Sequence, residues 1–117
     1  MIKKIAFVSF RSTDMAADKH FWVDLLGLEL ANDYEGKWME FATPEGKTIA
    51  IEQASPEGTP PTLALETDDI EAEVARLKEA GVKFQGDIMD NKVCKMAFAF
   101  DPSGNMVMLH EIAPERA

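Results

Sequence analysis

The feature that most constrains this chain is a repeated turn. Thr43-Pro44-Glu45-Gly46 and Asp101-Pro102-Ser103-Gly104 superpose at an offset of 58 residues. In each, proline presets the backbone for a turn and glycine supplies a left-handed residue at its end. The candidate helix starts repeat as well: Thr13-Asp14-Met15 matches Asp68-Asp69-Ile70 at an offset of 55. Two copies within 117 residues are too few for a solenoid. They predict a pair of like modules, about 1–53 and 62–113, within a single domain spanning 1–117.

The segments between these marks define the module. Residues 5–10 are apolar, in part β-branched or aromatic, and read as a strand. Thr13 or Asp14 is placed to cap a helix running to about Leu26, with Phe21, Trp22, Leu25 and Leu26 as one apolar stripe and Gly27 closing it. Residues 38–42 and 47–52 alternate as strands. Residues 54–61, with three of the six prolines, form a linker. The plan then restarts: a strand over 62–67, and a helix capped by Thr67 or Asp68 with Ile70, Val74 and Leu77 at i, i+4, i+7. Strands follow at 96–100 and 105–110. Weaker strands at 29–32 and 83–86 complete two βαβββ modules.

Composition narrows the function classes. Hydrophobic residues make up 46% and the net charge is −9, a globular and acidic profile. An acidic chain lacks the basic face that displaces counterions from nucleic acid, and is equally ill suited to an anionic membrane surface. No window approaches the roughly 18 consecutive apolar residues of a membrane span. Met1-Ile2-Lys3-Lys4-Ile5 runs into a strand without a signal-peptide apolar stretch. The single cysteine, Cys94, excludes an intrachain disulfide, and a cytoplasmic location is expected.

Phe21-Trp22 before Leu25-Leu26-Gly27-Leu28-Glu29-Leu30, then Asp68-Asp69-Ile70 with Ala80-Gly81-Val82, and finally Asp101-Pro102-Ser103-Gly104-Asn105 together resemble the vicinal oxygen chelate superfamily. That superfamily includes glyoxalase I, extradiol dioxygenases and bleomycin-resistance proteins. The resemblance covers nearly the whole chain. It implies an α+β fold: two tandem βαβββ modules, a cupped mixed β-sheet around a cavity, and helices on the outer face.

The resemblance also implies where metal ligands would stand, one on each of four equivalent strands. Counted from the family's landmarks, those positions hold Phe7, Ala50, Thr62 and Met108. None of these supplies the imidazole or carboxylate of a zinc or hard-cation site. A one-residue slip does not repair the set, because neighbouring strand residues point to the opposite face. No metal and no cofactor are therefore expected. Metal-dependent glyoxalase, epimerase or dioxygenase chemistry, which relies on a metal to polarise substrate oxygens, is not expected either.

Strand alternation from those four positions gives the rest of the cavity face. Phe7, Trp38 and Phe98 make it aromatic, and Met96 and Met108 make it soft and adaptable. Thr62, Glu40, Glu52, Glu66 and His110 add polar groups toward its rim. The expected function is binding of a small aromatic, neutral-to-cationic molecule by stacking and burial, as in the bleomycin-resistance branch. The alternative is a metal-independent lyase or isomerase in which His110 and Glu52, at equivalent positions of the two modules, act as acid and base. Cys94 has no motif partner along the sequence and reads as a small packed residue. Through the resemblance, a homodimer is expected, the modules pairing within one chain or swapping between two.

Overall fold

The computed structural model describes residues 1–116. The chain forms β1 (Ile2–Arg11), α1 (Met15–Lys19), a π-helical turn (His20–Leu25), β2 (Glu29–Tyr34), β3 (Trp38–Ala42) and β4 (Thr48–Glu52). After the proline-rich loop come β5 (Thr62–Thr67), α2 (Ile70–Glu79), β6 (Lys83–Asp90), β7 (Cys94–Phe100), β8 (Met106–Ile112) and a 3-10 turn (Pro114–Arg116). This is the expected α+β class, with βαβββ order stated twice. The two weaker strands are real and longer than the alternation indicated, reaching Tyr34 and Asp90.

Two compact units divide the chain. One is Phe7–Thr62; the other joins Met1–Ala6 to the chain from Leu63 onward. The second unit holds the first residues of β1 by charge: the Met1 amino group lies 2.7 Å from Glu73, and Lys3 lies 3.4 Å from Asp68.

In the Phe7–Thr62 unit the strand order is β2-β3-β4-β1, with β1 parallel to β4 and the others antiparallel. Met39, Phe41 and Ile51 share one face and bury themselves with Met15, against Phe10, Trp22 and Val23. The Trp22 ring stacks on Phe41 at 6.3 Å between centroids. The other unit repeats the plan as β5-β8-β7-β6, with β5 parallel to β8. There Ala97 and Leu109 pack on Ile70 and Val74 of α2, flanked by Leu77 and Phe84. The i, i+4, i+7 stripe of α2 is its buried face.

The repeated marks have repeated geometry. Asp14 and Asp69 are the N-caps, accepting from Ala17 N–H at 3.0 Å and Ala72 N–H at 3.1 Å. The second cap is thus Asp69 and not Thr67 or Asp68. An N-cap carboxylate must reach the N–H three residues on, and only Asp69 directly precedes the helix. In both turns the glycine N–H donates to the first residue's carbonyl at 2.9 Å, from Gly46 to Thr43 and from Gly104 to Asp101. Both glycines have φ of 87°.

The first helix departs from expectation. It is α-helical only through Lys19 and then widens, with Leu26 N–H donating to the Phe21 carbonyl. That i→i−5 bond places successive side chains at a different angular step from the α-helix. The stripe Phe21, Trp22, Leu25, Leu26 is accordingly split. Trp22 and Val23 face the core, while Phe21, Leu25 and Leu26 are exposed.

Candidate functional site

In each unit the strands cover one face with the helix and core cluster, and the register shows what stands on the other. In the Phe7–Thr62 unit Ser9 pairs with Ala50 and Ala50 with Glu40, while Arg11 pairs with Glu52 and Glu52 with Trp38. Directly paired residues share a face, so these stand opposite Phe10, Met39 and Ile51. In the second unit Ala64, Met108 and Phe98 form one row, and Glu66, His110 and Met96 the next. Those rows stand opposite Ala97 and Leu109. All ten expected site residues therefore lie on strands, and the paired ones lie on the helix-free faces.

The first unit builds an aromatic corner. The Phe7 ring meets Trp38 edge-on, with centroids 5.4 Å apart and planes at 85°. The Trp38 indole N–H donates to Glu40 Oε2 at 2.8 Å, and Asn32 Nδ2 donates to the other oxygen at 2.9 Å. Glu40 is thereby fixed beside a half-buried indole. Glu52 is buried, and its two oxygens accept from Ser55 N–H at 2.8 Å and Ser55 Oγ at 2.6 Å. It braces the start of the proline-rich loop. Thr62 is also buried and donates its hydroxyl to the Pro60 carbonyl at 3.1 Å.

The second unit builds a buried dyad. His110 Nδ1 lies 2.6 Å from Glu66 Oε1, and Glu66 Oε2 accepts from Ile112 N–H at 2.8 Å. Glu66 and His110 are 8% and 7% exposed, so the pair is largely shielded from water. Burial of the imidazole works against its charged form. Hydrogen bonds and charge from Cys94 and Glu66 outweigh it, raising the His110 pKa above its ordinary 6.5. Cys94 is the residue that sequence reasoning left without a partner. Counting outward from the Asp101–Gly104 turn pairs Met96 with His110 and Cys94 with Ile112. Cys94 thus stands diagonal to His110 on one face, and that count was available in the sequence.

The partner of His110 in the structure is Glu66, and the partner of Glu52 is Ser55. His110 and Glu52, the two residues expected to act as acid and base, each have a hydrogen-bond partner within their own unit. His20, on the π-helical turn, is exposed and bonds Asp24 at 2.7 Å. A recess of about 410 Å³ opens beside β7 and is lined in part by Asp90, Lys92, Cys94, Lys95 and Glu111.

The four ligand positions implied by the resemblance hold Phe7, Ala50, Thr62 and Met108. Phe7, Ala50 and Met108 offer at most a thioether, and the Thr62 hydroxyl is committed to Pro60. These residues do not fit a zinc or hard-cation site. Among the described residues no three of His, Cys, Asp and Glu gather so as to hold a metal ion.

Comparison with known proteins agrees with this architecture. The chain is similar to a methylmalonyl-CoA epimerase from Mycobacterium tuberculosis, with a TM-score of 0.80 at 19% identity, over 98% of this chain and 91% of that one. A glyoxalase/bleomycin resistance protein/dioxygenase superfamily member from Vibrio splendidus 12B01 superposes with a TM-score of 0.69 at 17% identity, over 97% of this chain and 100% of that one. A Streptomyces coelicolor methylmalonyl-CoA epimerase in complex with 2-nitronate-propionyl-CoA does so with a TM-score of 0.75 at 16% identity, over 97% and 99%. Identities this low speak for the fold alone. No curated protein sequence matches the chain. A family model does match, over residues 4–109, nearly the whole length. The chain belongs to the glyoxalase/bleomycin resistance protein/dioxygenase superfamily.

Proposed function

We propose that the protein binds a small aromatic, neutral-to-cationic molecule without a metal, on the helix-free face that carries Trp38. The observation that carries this reading is the Phe7–Trp38–Glu40 corner. Its indole is held in place at the N–H, leaving ring surface for stacking. The carboxylate beside it favours positive charge. The donor set unsuited to a metal supports the same reading, since binding by stacking needs none. A ligand panel followed by tryptophan fluorescence tests it. Trp38 should be quenched and Trp22, packed between Phe10 and Phe41, should not. Quenching that survives Trp38→Phe unchanged, or a panel with no binder, counts against it.

A second reading, metal-independent proton transfer, is favoured by the buried His110–Glu66 pair, with Glu66 in the role that the sequence suggested for Glu52. An imidazole oriented by a carboxylate is the arrangement of a general acid/base. The methylmalonyl-CoA epimerases among the structural neighbours add to its interest. Exchange of solvent deuterium into a candidate carbon acid, abolished by His110→Asn, would support it. Exchange that persists in that variant would not. We propose, further, a homodimer working in the cytoplasm. Light scattering should find twice 13.0 kDa, and a monomer at micromolar concentration would refute the dimer.

A further inference from the structure

We propose that Cys94 is a nucleophile served by His110 and Glu66, and that it captures small molecules bearing an activated alkene, such as an α,β-unsaturated carbonyl. The geometry has the three parts of an activated nucleophile: thiol, base and a group that orients the base. Glu66 occupies Nδ1 of His110 at 2.6 Å. That bond sets the tautomer and leaves Nε2 as the ring nitrogen for a second partner. The hairpin register stands Cys94 diagonal to His110 on the same face, within reach of the ring. Cys94 is half-buried, so its thiol is open to a small molecule from solvent while His110 and Glu66 behind it are buried.

The surroundings select the reaction. Acyl transfer needs backbone donors at the developing oxyanion. Here the Cys94 N–H is spent on Asn91 Oδ1 at 2.8 Å, and the Ala113 N–H on the Val93 carbonyl at 3.0 Å. Conjugate addition carries its charge away from the sulfur and needs no leaving group. The thiol proton passes to His110 Nε2 while sulfur bonds the alkene's β-carbon and the C=C π pair moves into an enolate. The imidazolium, stabilised by Glu66, then returns the proton to the α-carbon. The sum is S–H added across C=C, with no oxidant or reductant. This proposal uses the second unit and stands or falls apart from binding at Trp38.

The test is the second-order rate of N-ethylmaleimide addition to the full chain, followed by intact mass, with Cys94→Ser as the blank. Near pH 7 the rate should exceed that of glutathione by about 10-fold, since a positioned base takes the thiol proton as sulfur attacks. His110→Asn should remove that advantage. Glu66→Gln should move the pH profile of the reaction upward, a change that a merely structural role would not produce. A wild-type rate at or below that of glutathione overturns the proposal, as does a rate that His110→Asn leaves unchanged. If that variant does not fold, His110→Gln and the comparison of wild-type with glutathione decide: an advantage lost in His110→Gln supports the proposal, and a wild-type rate no greater than that of glutathione refutes it.

Discussion

His110 and Glu66 are direct partners on the parallel strands β8 and β5, joined Nδ1 to Oε1 at 2.6 Å and both buried. The bond couples folding to pH. A histidine whose folded pKa is raised adds stability that is full below its unfolded pKa and is lost as pH rises through the folded value. Urea denaturation should therefore show stability declining from mildly acid to alkaline pH across that window. His110→Gln should flatten this part of the slope. Glu66→Gln should cost about 1.5–3 kcal/mol on the acid side, the range for a hydrogen bond to a charged group, and less on the alkaline side.

The two helix caps should be equivalent in energy as they are in geometry. Asp14→Ala and Asp69→Ala each remove one side-chain acceptor from a helix start, and each should cost about 0.5–2 kcal/mol in urea denaturation. Thr67→Val and Asp68→Ala, which leave the Asp69 cap in place, should cost less than Asp69→Ala.

The repeated turns should report backbone conformation alone. A Cβ at Gly46 or Gly104 meets nothing within 4 Å, yet φ is 87° at both. Gly46→Ala and Gly104→Ala should each destabilise by about 1–2 kcal/mol, the cost of a left-handed L-residue. Asn, which tolerates that region better, should cost less at either position. Equal losses for Ala and Asn would contradict this account.

Apolar residues near the first helix should fall into two classes. Phe41 is 0% exposed, and Phe41→Ala should cost about 3–5 kcal/mol. Leu25, 65% exposed on the π-helical turn, should tolerate Ala within about 0.5 kcal/mol. Thermal melts of both variants separate the two, and a large loss at Leu25 would mean that its face is covered.

Much of the fold was legible because its marks are local. A Pro–Gly turn, an aspartate before an apolar run and period-2 alternation each act within a few residues. Repeated at 55 and 58 residues, they were enough for the module, its strand faces and the α+β class. The alternation that placed Met96, Met108 and His110 on one face depends only on the pleat, and the register agrees. What alternation does not contain is which strand lies beside which, and that decided the site. Glu66 meets His110 because β5 runs parallel to β8 across 44 residues of sequence, while Glu52 turns to Ser55 in its own loop. Cys94 acquires its histidine through hairpin register, not through any motif. The widening of the first helix, which exposes Leu25 and packs the Trp22 ring against Phe41, was equally hidden. A switch to i→i−5 bonding leaves no signature in residue type, because packing on the sheet selects it. Local chemistry wrote the elements; long-range pairing chose the partners.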